Sequence, residues 1–194
     1  METKNFIFGY GSLISKESRK RTGISGKSYT TKLNGFKREW NVKISEEKTT
    51  ALGIIKNPKY SCNGVIFEVP EKSIKKFDKR EEKYYSRIQL NPNSLNIKQS
   101  LNMSNTKIWV YTTNTPSKPT KDFPILLSYI DVILSGCLKI NENFAKKFIE
   151  TTSGWKYIKN DRNNPIYPRP EINAPKKEID ELLEKLLNNR SPIK

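Results

Sequence analysis

Apolar residues in the first part of the chain fall in short dense runs. Residues 5–10 (NFIFGY) place Phe6, Ile7, Phe8 and Tyr10 together and predict a buried strand. Residues 16–21 read as a short helical piece. Residues 30–44 (TTKLNGFKREWNVKI) and 50–55 (TALGII) predict strands, with a bulge at Gly35. Residues 63–70 (NGVIFEVP) predict a strand that Pro70 ends, and 71–83 a helix. Residues 84–90 and 107–112 (KIWVYT) return to strand. The stretch 91–105 is rich in Asn and Ser and predicts an exposed loop, and 113–122, with two prolines and no apolar residue, predicts a connector.

Beyond residue 124 the period changes. Leu126, Tyr129, Ile130, Ile133, Leu134, Cys137 and Leu138 recur at three and four, which predicts a helix over 124–138 with Pro124 in its first turn. Phe144 and Phe148 continue the spacing over 141–150, and Gly154 is the expected stop. Residues 160–175 hold four prolines and no period, and predict an extended surface segment. Ile179, Leu182, Leu183, Leu186 and Leu187 share one face of a last helix. Strands first and helices late predict an α+β domain on a mixed or antiparallel sheet, curled toward a barrel.

Composition narrows the function. At 194 residues the chain fits one domain. No apolar run approaches the ~18 residues of a membrane span, and residues 1–5 lack the look of a signal peptide. The two cysteines, Cys62 and Cys137, form no metal or redox spacing, which points to a reducing, cytoplasmic compartment. There is no histidine. Nucleophile pairs that depend on His, and most catalytic zinc sites, are therefore removed, and acid–base work falls to Glu, Asp, Tyr, Lys or Cys. The net charge of +16 raises nucleic acid as a partner. Yet the charge is dispersed: residues 71–90 mix seven Lys or Arg with four Asp or Glu. A cationic surface that attracts anionic small molecules is the preferred reading, with nucleic-acid binding disfavoured.

Two stretches carry chemistry. In the first, Tyr10-Gly11-Ser12-Leu13 follows the first strand. Glycines at 9 and 11 let a ligand approach the backbone, and N–H groups opening a following helix suit a carboxylate. A strand–turn–helix joint with no ligand explains the same residues. In the second, 71–85 (EKSIKKFDKREEKYY), Ile74, Phe77 and Glu81 share a helix face, so a carboxylate sits on an apolar stripe, while Glu82 points to solvent. Burial of Glu81 suits a proton shuttle. From these residues alone, an ion pair with Arg80, Arg87 or Arg38 is the preferred account of its placement.

Together these stretches resemble the γ-glutamylcyclotransferase family, with its ChaC-like and AIG2-like members. Phe8-Gly9-Tyr10-Gly11-Ser12-Leu13 is similar to the family's Y-G-S-(N/L)-L signature. Phe77-Asp78-Lys79-Arg80-Glu81 is similar to its L-D-x-x-E element. Leu33-Asn34-Gly35-Phe36, Leu52-Gly53-Ile54-Ile55, residues 62–67 (CNGVIF) and Trp109-Val110-Tyr111 follow the family's order. The similarity is strong over 5–112 and weaker from 124 on. Arg80 before Glu81 leans toward the glutathione-acting ChaC branch, although the two glycines of that branch's E-x-G-G-Y are absent from Glu81-Glu82-Lys83-Tyr84-Tyr85.

The resemblance implies a small mixed β-barrel with flanking helices over 1–159. Residues 160–194 would form an extended segment and helix packed on the same domain. It implies cyclisation of a γ-glutamyl small molecule to 5-oxoproline with release of an amine, with no metal or cofactor. Glu81 would be catalytic, and Tyr10, Gly11, Ser12 and Leu13 would grip the substrate. Tyr85 and Tyr111 would wall the pocket or donate hydrogen bonds, or belong to the core. A non-catalytic binding protein on this fold, for a small molecule or nucleic acid, is the alternative.

Overall fold

Phe6, Ile7 and Phe8 are almost fully buried because β1 (Lys4–Gly9) runs through the middle of the sheet. The computed structural model describes residues 3–97 and 105–187. After β1 come α1 (Lys16–Lys20), the long strands β2 (Ser28–Ile44) and β3 (Thr49–Glu68), α2 (Glu71–Glu81) and β4 (Tyr85–Gln89). Then follow β5 (Leu95–Ile97), β6 (Thr106–Thr113), β7 (Ile125–Leu126), α3 (Leu127–Leu138) and α4 (Glu142–Glu150). Two short strands, β8 (Thr152–Ser153) and β9 (Ile158–Lys159), precede α5 (Lys176–Leu187).

The main sheet runs β4-β6-β1-β3-β2-β5, with β8 on β2. It is mixed: β1 pairs β6 in parallel and β3 antiparallel. The α+β class and mixed sheet are those expected, but the sheet is not closed, since among the described residues β4 and β5 are its edges and do not meet. The helices cover it: Ile74 and Phe77 of α2, most of α3, and Ile179, Leu182 and Leu183 of α5 join one core with the strands. No helix among the described residues is long and apolar enough to cross a membrane.

Several element boundaries differ from the hydrophobic pattern, each for a local reason. The separate strands expected at 50–55 and 63–70 are one strand, β3. Its middle is polar and contains Pro58, but it is exposed, so it demands no apolar residues. There Asn34 still pairs Ser61 and Phe36 pairs Lys56, so the ladder bulges around Gly35, whose φ of +80° suits glycine. The helix 71–83 ends at Glu81, because the chain turns there into β4. The loop 91–105 contains a 3-10 turn at Pro92–Ser94 and β5, while residues 98–104 lie outside the described residues. Pro124 is not in a helix: its carbonyl accepts from Thr49 and Thr50, β7 follows, and α3 starts at Leu127. Gly154 is not the stop of α4, which Thr151 caps before β8.

Candidate active site

Turns at the ends of β1 and α2 bring the two chemically marked stretches together. After Gly9 the chain passes Tyr10 and Gly11 into a 3-10 turn, Ser12–Ile14. Tyr10 is held at both ends: its hydroxyl donates to the Tyr111 carbonyl at 2.7 Å, and its own carbonyl accepts from Arg38 Nη1 at 3.3 Å. Glu81 closes α2, and a turn whose Tyr84 N–H donates to the Glu81 carbonyl delivers Tyr85 to the start of β4. A small inner chamber results, lined by Phe8, Tyr10, Gly11, Ser12, Leu13, Leu52, Glu81, Tyr85, Tyr111 and Tyr129. All seven site residues expected from the sequence line it.

A second, larger chamber adjoins the first. Ser12, Glu81, Tyr85 and Tyr129 belong to both, so Glu81 stands where they meet. The outer chamber adds Glu47 from the β2–β3 turn, Arg80, Tyr84, and Tyr167, Pro168 and Arg169 from the segment before α5.

Glu81 makes one of the ion pairs weighed for it. Arg80 Nε lies 3.0 Å from its Oε1, and the Glu81 side chain is 15% exposed. Arg87 pairs Asp78 instead, and Arg38 is buried elsewhere. The Arg80 pair does not fully compensate for burial. Desolvation raises the Glu81 carboxyl above the usual carboxylate range, and Arg80 and Arg169 pull it back only in part. Arg80 has further duties: its guanidinium donates to Ser12 Oγ at 2.8 Å and to Thr22 Oγ1 at 2.6 Å. It therefore ties the end of α2 to the loop after β1. Glu82, one residue on, is exposed.

The tyrosines form walls. Tyr85 donates its hydroxyl to the Leu52 carbonyl at 2.9 Å, and Tyr111 donates to Asp78 Oδ1 at 2.9 Å. Both hydroxyl protons are spent within the protein, so each residue offers the chamber a ring. Burial, with smaller contributions from Glu81, pushes the phenols of Tyr10, Tyr85 and Tyr129 up, so all three stay protonated.

Two groups at the site are not among the site residues expected from the sequence. Tyr129 sits in the apolar stripe of α3, where its spacing reads as core, yet its hydroxyl end reaches the chamber beside Gly11 and Ser12. Tyr167 packs its ring on Tyr129 at 4.6 Å between centroids and brings Pro168 and Arg169 with it. Residues 160–175 have no helix or strand, as their prolines imply, but part of this segment walls the site.

This architecture is shared with solved structures. A gamma-glutamyl cyclotransferase superposes with a TM-score of 0.61 at 14% identity, covering 94% of this chain and 99% of that one. The uncharacterized protein loc79017 from Homo sapiens gives 0.58 at 15% identity, with 94% and 99% covered. YkqA from Bacillus subtilis gives 0.55 at 13% identity, with 77% of this chain and 54% of that one covered. At such identities the likeness is one of fold. No curated protein sequence matches the chain. A family model does: the one described as gamma-glutamyl cyclotransferase, AIG2-like, matches residues 7–128, the span that contains both the Tyr10–Leu13 loop and Glu81. With that match over more than half of its length, the chain belongs to the gamma-glutamyl cyclotransferase, AIG2-like family.

Proposed function

We propose that the protein cyclises γ-glutamyl compounds to 5-oxoproline and releases the amine they carry. The observation that carries this reading is the position of Glu81. It is a carboxylate raised by burial, at the junction of a small tyrosine-walled chamber and a larger mixed-charge one. The γ-glutamyl head group occupies the inner chamber. Its α-carboxylate is held by the backbone of Tyr10 to Leu13, where, among the described residues, the N–H groups of Ser12 and Leu13 donate to no loop carbonyl.

Held this way, the chain bends so that its α-amine meets its own γ-carbonyl, and effective molarity supplies much of the rate. Glu81 takes a proton from the α-ammonium. The freed amine lone pair forms the ring C–N bond, the carbonyl pair moves onto oxygen, and a tetrahedral intermediate results. As that oxygen pair returns, the bond to the leaving nitrogen breaks and Glu81 gives its proton to that nitrogen; the carboxylate then takes the second proton from the ring nitrogen and passes it to the released amine, which departs as an ammonium ion and leaves neutral 5-oxoproline. The cycle needs no group beyond these. The cell interior, where the cysteines stay reduced, is its proposed setting.

A panel of glutathione, γ-glutamyl dipeptides and γ-glutamylamines, scored by 5-oxoproline release, tests the reading. Turnover of at least one class supports it. No product from any, together with salt-sensitive binding of DNA or RNA, supports the non-catalytic alternative. The lean toward glutathione rests on Tyr10-Gly11-Ser12-Leu13 and Arg80 alone, and the panel decides it.

Gly11 gives a separate check on the grip. A Cβ built there would lie 3.3 Å from Leu52 Cδ2 and 3.7 Å from the Tyr129 hydroxyl. Gly11→Val therefore places two further methyls in the inner chamber. The expected result is a folded protein that no longer binds γ-glutamyl compounds in calorimetry. Unchanged affinity would remove the loop from the site.

A further inference from the structure

The outer chamber contains a guanidinium that the cyclisation does not use. Arg169 Nη1 donates to Thr22 Oγ1 at 3.2 Å, and the same oxygen accepts from Arg80 Nη1 at 2.6 Å. Two guanidinium groups thus share one neutral acceptor. Arg80 has Glu81 as its carboxylate, whereas among the described residues no carboxylate lies within ion-pair distance of Arg169. Arg169 is nevertheless near enough to Glu81 to pull its carboxyl down.

The segment that presents Arg169 is firmly seated. Asp161, 6% exposed, accepts from the N–H of Ser128 at 2.8 Å and its hydroxyl at 2.6 Å, at the first turn of α3. Arg162 grips Asp131 through two nitrogens at 2.7 and 2.8 Å and Asp180 through a third at 2.8 Å. A cation positioned in advance gives up little freedom when it binds an anion.

We propose that Arg169 binds a carboxylate on the leaving group. The preferred substrates are then γ-glutamyl amino acids or peptides, whose departing amine carries a free carboxylate, rather than γ-glutamylamines that lack one. The proposal rests on the cyclotransferase reading. With the head group in the inner chamber and the reacting carbonyl beside Glu81, the leaving portion extends into the outer chamber that Arg169 lines. Glu47 lines that chamber too, and its Oε2 has no hydrogen-bond partner among the described residues. A leaving group with an extra cation is the competitor that this carboxylate favours.

The test compares γ-glutamylalanine, its C-terminal amide, and a γ-glutamyl conjugate of diaminobutane, in the wild type, Arg169→Gln and Arg169→Lys. In the wild type, kcat/KM for the acid is expected to exceed that for the amide by ~10–100-fold, the range of one charge-assisted hydrogen bond. Arg169→Gln brings the ratio close to one, and Arg169→Lys keeps part of it. The ratio is internal to each preparation, so partial misfolding does not alter it. Equal turnover of acid and amide by the wild type overturns the proposal. So does a ratio that survives both substitutions, or a preference for the diamine conjugate. Failure of the cyclotransferase reading looks different, with no 5-oxoproline from any of the three compounds, and it takes this proposal with it.

Discussion

Glu81→Gln is expected to leave a folded protein whose turnover of γ-glutamyl substrate is reduced ~10²–10⁴-fold, the usual cost of losing a general base. The amide is nearly isosteric, so the packing of α2 through Ile74 and Phe77 persists. It cannot take a proton from the α-ammonium, so the attacking nitrogen stays blocked. Substrate still binds through the loop after β1. Glu82→Gln is the matched control: Glu82 is exposed, and its loss should change the rate little.

Stability separates the catalytic role from a purely ionic one. Burial raises the Glu81 carboxyl in the folded protein despite Arg80 and Arg169. A raised acid holds its proton more tightly when folded than when unfolded. Ionising it therefore costs stability as the pH climbs from the unfolded pKa through the folded one. At neutral pH Glu81→Gln removes that cost, so its Tm should not fall below the wild type, and any gain should shrink toward pH 4. The acid limb of wild-type kcat/KM should likewise lie above the ordinary carboxylate range. If Glu81 served only to pair with Arg80, the variant would melt earlier and keep its activity.

How much of this could be read from residues varies with the kind of signal. β1 was legible as a dense apolar run buried on both faces, and α2 and α5 because their apolar residues are periodic and face a single core. Glu81 was legible because a carboxylate breaks the apolar stripe of Ile74 and Phe77, a conflict that local rules expose. Tyr129 obeys the same rules and so was hidden: a tyrosine at helical spacing looks like core, and only the neighbouring Ser12 reveals its polar end. The middle of β3 was missed because an exposed strand needs no apolar residues. Arg169 was missed as a site residue because its place depends on Asp161 and Arg162 anchoring an aperiodic segment to α3 and α5, contacts that no sequence spacing encodes.

Arg38 shows the largest gap between sequence and structure, and it carries the second large effect. It was one of three arginines considered as a partner for Glu81. It is instead fully buried with no carboxylate beside it among the described residues. Its nitrogens donate to the Asn63 carbonyl at 2.6 Å, Asn63 Oδ1 at 2.9 Å, the Phe148 carbonyl at 2.9 Å, and the hydroxyls of Thr151 and Thr152 at 2.8 Å each. Its charge also lies over the Phe148 ring, 3.7 Å from the centroid. One side chain thus joins β2, β3, the end of α4 and β8, and through the Tyr10 carbonyl it reaches the site loop.

Two effects oppose each other in Arg38→Met. Removing a desolvated cation is favourable, and burial already pulls the Arg38 pKa down. But methionine replaces only one side of the network and leaves buried oxygens without donors, at ~1–3 kcal/mol each. The acceptors outnumber the charge, so the net expected loss is roughly 2–5 kcal/mol. Thermal melts should show it as a drop of roughly 2–4 °C per kcal/mol for a chain of this size. Arg38→Lys should fall between the two, since a single ammonium keeps the charge but cannot span oxygens on three sides. A wild-type Tm for Arg38→Met would mean that the desolvation cost of the cation cancels its hydrogen bonds. A lysine variant as stable as the wild type would assign the effect to charge instead of geometry. Because the Tyr10 carbonyl loses its donor as well, the folded fraction of Arg38→Met should also bind γ-glutamyl compounds more weakly. That loss should be absent from variants which lower the Tm equally by emptying the core under α5, such as Leu183→Ala.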